Sequence, residues 1–87
     1  MPDKKTAIVS GAEQGIGAGL VERFLEEGYN VVGTSLHASQ SATASSRLIF
    51  VEGDISKQET AVKTADAAIQ NFGAIDVLVN NAGIFII

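Results

Sequence analysis

The chain predicts a doubly wound α/β fold built on a parallel sheet, and three observations carry that prediction. Short β-branched runs alternate with stretches of helical period. The strand runs are nearly continuously apolar. The turn after the first run, Ser10-Gly11-Ala12-Glu13-Gln14-Gly15-Ile16-Gly17, holds three glycines in eight residues. Continuous apolar runs suit strands buried on both faces, and helices between parallel strands cover those faces through right-handed crossovers.

The first expected strand is Thr6-Ala7-Ile8-Val9-Ser10. After the glycines, Ile16, Leu20, Val21, Phe24 and Leu25 recur at helical spacing until Gly28, which reads as the stop of a first helix. Tyr29, at the junction of that helix with the next strand, reads as a packing aromatic at a boundary. Asn30-Val31-Val32-Gly33-Thr34 and Leu48-Ile49-Phe50-Val51-Glu52 are the second and third strands, both expected in the sheet interior. Between them, residues 36–47 are rich in serine and alanine, with Leu36 the only large apolar side chain, and read as a mobile surface loop. Ser56-Lys57-Gln58-Glu59 has the spacing of a reciprocal capping box, and Val62, Ala65, Ile69 and Phe72 form the apolar stripe of a second helix closed by Gly73. A fourth strand, Asp76-Val77-Leu78-Val79-Asn80, leads into Asn81-Ala82-Gly83 and a final Ile84-Phe85-Ile86-Ile87.

Bulk properties bound the function. The 87 residues make at most one domain with one modest core. Hydrophobic residues are 46% and charged residues 18% of the chain, a globular balance with no run long enough for a membrane span. A net charge of -4 argues against a nucleic-acid or acidic-membrane partner, which needs a basic face. The absence of cysteine removes disulfides, thiolate metal sites and cysteine nucleophiles, and no metal site is expected. The short apolar stretch after Lys4-Lys5 runs into glycines and does not read as a signal peptide, so a cytoplasmic location is expected.

The glycine-rich turn has a physical use. Between a strand and the helix that follows, it lets backbone amides approach a phosphate closely while the helix dipole favours negative charge. Gly11 would make the tight turn; at Gly15 and Gly17 a β-carbon would block the approach of pyrophosphate and of the neighbouring strand. Short glycine motifs also occur in ordinary βα turns that hold no ligand.

Two further features accompany the turn. Asp54 closes the third strand, and Asn80-Asn81-Ala82-Gly83 closes the fourth. In that order and context, with Gly11-Ala12-Glu13-Gln14-Gly15-Ile16-Gly17 as a Gly-x-x-x-Gly-x-Gly pattern, the chain from Thr6 to Ile87 closely resembles the amino-terminal half of the short-chain dehydrogenase/reductase family. The resemblance implies a Rossmann-type doubly wound sheet of which this is the amino-terminal half, about four strands. It also implies NAD(P) as cofactor, and hydride transfer to or from a small-molecule alcohol or carbonyl compound.

Carried over by residue, the resemblance makes Gly11, Gly15 and Gly17 the pyrophosphate turn, with the Ile16 amide nearby. Ser10 stands where the family often has threonine. Asp54 matches the aspartate that accepts a hydrogen bond from the adenine amine, with Ile55 packing near the ring; a turn-capping aspartate is the alternative. Asn81 and Ala82, followed by Gly83, match positions beside the adenine ribose, and for Asn81 a structural role in bonding neighbouring strands is the alternative.

Cofactor choice turns on the end of the second strand, where an acid would bind the ribose hydroxyls of NAD and repel the extra phosphate of NADP. Ser35 stands where NAD-preferring relatives have aspartate, so that repulsion is missing. The positions where NADP-preferring relatives often carry a base hold Gln14 and Leu36, and His37 is the only nearby candidate cation. The reading leans to NADP(H).

The family's catalytic tyrosine, and the lysine four residues after it, lie beyond the matched region. Here the only tyrosine is Tyr29, and four residues on stands Gly33, so no catalytic residue is assigned. The expectation is that residues 1–87 form an NAD(P)-binding half-domain of a larger single-domain enzyme, inactive alone, whose parent is a homo-oligomer. Two other readings stay open: a non-catalytic dinucleotide-binding module, or an association piece pairing through an open sheet edge.

Overall fold

A computed structural model of the chain describes residues 4–11, 15–35, 43–54 and 56–79. In chain order they form β1 (Thr6–Val9), α1 (Gly15–Glu26), β2 (Asn30–Ser35), β3 (Thr43–Ser45), β4 (Leu48–Glu52), α2 (Gln58–Phe72) and β5 (Val77–Val79). One five-stranded sheet has the order β3-β4-β2-β1-β5. Within it β1, β2, β4 and β5 run parallel, which is the expected doubly wound half-sheet.

The most apolar strands take the centre. Every residue of β1 is buried, and in β2 only Asn30 reaches partial exposure. Side-chain alternation divides the core between the two faces. Val9 and Val31 meet Val21 of α1, with Leu20, Phe24, Leu25, Tyr29, Leu48, Phe50 and Val79 around them. On the other face Ile8 and Val32 meet Ala68 of α2, with Val51, Ala67 and Phe72 beside them. Each fully buried valine stabilises the fold by roughly 1.5–3 kcal/mol.

Tyr29 packs edge-on against Phe24, with ring centroids 4.9 Å apart. Below it, the Arg47 guanidinium donates to the Leu25 carbonyl at 3.1 Å and to the Tyr29 carbonyl at 3.0 Å. This places a cation at the carboxyl end of α1, where free carbonyls and the helix dipole favour it.

Four sequence expectations change. Residues 36–47 are not a loop throughout: 36–42 lie outside the described residues, but Thr43–Ser45 is a strand, antiparallel to β4. Ser46 and Arg47 make a hairpin turn with Ser45 opposite Leu48, so β3 folds back along the outer edge of β4 and pairs its backbone. The sheet therefore holds the four expected parallel strands and, among the described residues, a fifth, antiparallel one at its edge, and β4 gains a neighbour on each side.

The capping box does not form. Lys57 is the N-cap of α2 and makes no side-chain cap bond. Asp54 competes for Ser56: its Oδ1 accepts from the Ser56 amide at 2.9 Å and from the Ser56 hydroxyl at 2.7 Å. This is the local turn aspartate favours, and the helix starts later as a result.

The apolar stripe of α2 turns inward only in part: Phe72 packs beside the core, but Val62 and Ile69 do not. The buried row is Thr60, Thr64 and Ala68, while Val62 is 51% and Ile69 50% exposed. At about 100° per residue, Val62 and Ile69 project from nearly the opposite side of the helix to that row. Small side chains in the row let the helix sit close on the sheet, and the Thr64 hydroxyl is satisfied by the Thr60 carbonyl at 2.7 Å.

Ile16, counted in the apolar face of α1, is 76% exposed at the start of that helix, outside both core clusters. Leu78 is 67% exposed; it pairs in register with Ile8 and so points to the α2 side, where no described element covers it. Among the described residues no helix is long and apolar enough to cross a membrane.

Candidate functional site

Strand order locates the site. From β1 the chain moves outward to β2 and β4, then returns across to β5 on the other side of β1. Ligands of open parallel sheets bind where that direction reverses, outside the carboxyl ends of the strands. Here the reversal lies between β1 and β5, and the residues leaving β1 are Ser10 and Gly11.

These two residues are held from opposite sides. The Ser10 amide donates to the Val79 carbonyl of β5 at 3.0 Å, and its hydroxyl approaches the same oxygen at 3.4 Å. The Gly11 amide turns the other way and donates to Oγ1 of Thr34 in β2 at 3.1 Å. Gly11 has φ +64°, a left-handed backbone that favours glycine. Serine at position 10 thus turns its hydroxyl to the backbone of β5.

Residues 12–14 lie outside the described residues. The chain then forms α1 from Gly15, with Ile16 exposed at the opening and Gly17 buried. The helix amino terminus presents amides without internal partners, and its first turn carries no acidic side chain. That combination suits an anion, because no acidic side chain of the helix's own first turn opposes it.

Ser35 and Asp54 lie along the same edge, since parallel strands end together. Ser35 closes β2 and is 2% exposed, so its side chain is part of the interior; its carbonyl accepts from the Gly53 amide at 2.7 Å. Asp54 follows β4 and is exposed. The Ser56 hydroxyl and then the Ser56 amide, with a smaller contribution from Lys57, hold its carboxyl below the ordinary aspartate value, against a slight opposing effect of desolvation. One oxygen of Asp54 therefore serves the turn, as the capping alternative requires. Ile55, Asn81, Ala82 and Gly83 lie outside the described residues.

Linear reading missed two residues at this edge. Thr34, expected only as strand interior, holds the glycine turn. Glu52, exposed, lies beside Ser35 by strand register. Neither has a motif; cross-strand pairing alone brings them in. The open hollow between β4 and α2, lined by Val51, Lys63, Ala67 and Asn71 among others, includes none of the expected site residues.

Known proteins share both sequence and fold with this chain. The family described as short chain dehydrogenase matches residues 5–87. Glucose 1-dehydrogenase 2 of Bacillus subtilis is 39% identical over 88 residues, covering 91% of this chain and 34% of that protein. 3beta-hydroxysteroid dehydrogenase 1 of Eggerthella lenta is also 39% identical over 88 residues, covering 92% and 34%. Among solved structures, L-sorbose reductase of Gluconobacter frateurii, complexed with NADPH and L-sorbose, superposes with a TM-score of 0.82 at 28% identity, covering 94% of this chain and 34% of that one. Aldohexose dehydrogenase of Thermoplasma acidophilum, in ligand-free form, gives 0.76 at 35% identity over 94% of this chain and 31% of that one. The chain spans about a third of the length of these relatives. With the glycine turn at the reversal point of a parallel sheet and the family match running from Lys5 to the last residue, the chain belongs to the short chain dehydrogenase family.

Proposed function

We propose that this chain is the NAD(P)-binding half-domain of an oxidoreductase that transfers hydride between a nicotinamide cofactor and a small alcohol or carbonyl substrate. The observation that carries the reading is the glycine turn between β1 and α1, set at the reversal point of the sheet, with Gly11 at φ +64° and Gly17 buried. Gly11, Gly15, Ile16 and Gly17 hold the pyrophosphate. Asp54 and Ile55 receive the adenine. Asn81, Ala82 and Gly83 flank the ribose.

The bound nicotinamide would supply the hydride chemistry. The chain's own part is to bind and orient: the helix terminus offers amides, and the satisfied amides of Ser10 and Gly11 keep the turn in place. Cofactor choice leans to NADP(H), because Ser35 provides no carboxylate at the end of β2. The parent enzyme is read as a homo-oligomer located in the cytoplasm.

Binding of NADH and NADPH to the intact purified protein, followed by nicotinamide fluorescence or calorimetry, tests the reading. Dinucleotide binding that Gly15→Val abolishes supports it; unchanged affinity in that variant sinks the assignment of the turn. Clear preference for NADH removes the NADP(H) lean. A second reading is favoured by β5, which has no strand beyond it among the described residues and carries Leu78, 67% exposed, on its α2 side. That edge suits association with another chain, and self-association without nucleotide binding would select it.

A further inference from the structure

We infer that Thr34 is a positioning residue for the cofactor turn, acting through the Gly11 amide. The inference rests on the dinucleotide reading above and adds a side chain outside the glycine pattern to that site.

Between parallel strands, successive amides of β1 address its two neighbours alternately. The Ser10 amide makes the last rung toward β5, on the Val79 carbonyl at 3.0 Å. The Gly11 amide is the next to face β2, where a rung would fall, and the φ of +64° beyond it turns the chain out of the strand. The Thr34 hydroxyl replaces that rung at 3.1 Å. The register pairs Val9 with Gly33, so Thr34 lies one residue beyond the last paired position of β1 and level with the turn.

Thr34 is 2% exposed, so neighbouring atoms restrict its side chain and water does not readily take its place. A hydroxyl can accept from Gly11 and still donate elsewhere, whereas a valine of the same shape can do neither. Replacing the hydroxyl would leave the Gly11 amide without this acceptor in a part-buried setting, which favours a shifted turn. Movement there displaces the start of α1, whose amides are the proposed phosphate donors.

The test compares wild type, Thr34→Val and Thr34→Ser in the intact purified protein, by NADH and NADPH dissociation constants at a temperature where circular dichroism shows each variant folded. Thr34→Val should weaken dinucleotide binding about fivefold, as expected for one hydrogen bond. Thr34→Ser, which keeps the hydroxyl, should stay within about twofold of wild type. A residue that merely supports the sheet would lower the melting temperature and leave the dissociation constant of the folded protein unmoved. Unchanged affinity in folded Thr34→Val overturns the inference, as does equal weakening in both variants, which would assign the effect to packing. If Thr34→Val does not fold, Thr34→Ala removes the same acceptor and is read in the same way. Failure of the wild type to bind either dinucleotide overturns the cofactor reading itself, and the inference with it.

Discussion

Thr6 and Asp76 form a reciprocal pair of hydrogen bonds: the Thr6 amide donates to Asp76 Oδ2 at 2.9 Å, and the Asp76 amide donates to the Thr6 carbonyl at 2.9 Å. The pair aligns the start of β5 with the start of β1, 70 residues earlier. It sets the register that brings Val79 level with Ser10 at the opposite end of the strands.

Asp76→Ala should therefore destabilise the fold by about 1–2 kcal/mol, the range for a lost hydrogen bond to a charged acceptor with solvent access. Asp76→Asn keeps an acceptor oxygen and should lose less. Urea unfolding of the two variants checks the order; equal stabilities would show that the carboxylate does not fasten β5.

Gly53 has no room for a side chain. A β-carbon there would lie 2.5 Å from Oγ1 and 2.9 Å from Cγ2 of Thr60, which is 3% exposed and cannot easily give way. Its φ of +150° adds strain for any other residue. Gly53→Ala should cost about 2 kcal/mol by overpacking, and Thr60→Ala in the same chain should recover part of that loss. A double variant as unstable as the sum of the singles would exclude the clash.

Gly19 is the opposite case. It lies inside α1, and a β-carbon there would meet nothing within 4 Å. Gly19→Ala should stabilise the protein by about 0.5–1 kcal/mol, because alanine loses less backbone freedom in a helix. A higher midpoint in thermal or urea unfolding is the expected outcome.

The turn after β4 should respond to acid. Ser56 holds the Asp54 carboxyl below its ordinary value in the folded chain. Its contribution is thus complete above the unfolded titration range, near pH 4, and disappears as pH falls through the lower folded value. An NMR titration of the Asp54 side-chain carbon should show that low midpoint. Ser56→Ala should move it up toward the ordinary value, and an unmoved midpoint would separate Asp54 from Ser56.

The glycine turn as a cofactor site makes the sharpest functional prediction: Gly15→Val should abolish dinucleotide binding while leaving the far-ultraviolet circular dichroism of the folded chain in place. Retained binding would remove the turn from the site.

How far the sequence was legible depends on the range of the forces involved. The parallel strands and both helices follow from local patterns, since β-branched runs and helical periodicity act within a few residues. Gly73 illustrates this at the end of α2: it takes φ +82°, and its amide bonds back to Ala68 and Ile69, as its position after Phe72 predicts. The Ser56 box failed because a second local solution, the Asp54 turn, competes for the same hydroxyl and amide.

The alternation of strands and helices, the glycine turn and the family resemblance could all be read without coordinates, because each is written in neighbouring residues. Tertiary structure decided which face of α2 is buried, since sheet contact favours the small row of Thr60, Thr64 and Ala68 over the larger Val62 and Ile69. It also decided that Thr43–Ser45 is a strand, because β4 offers it an unpaired edge. Pairing across the sheet joined Thr34 to Gly11 over 23 residues, a contact with no trace in linear spacing because it exists only once β2 lies beside β1.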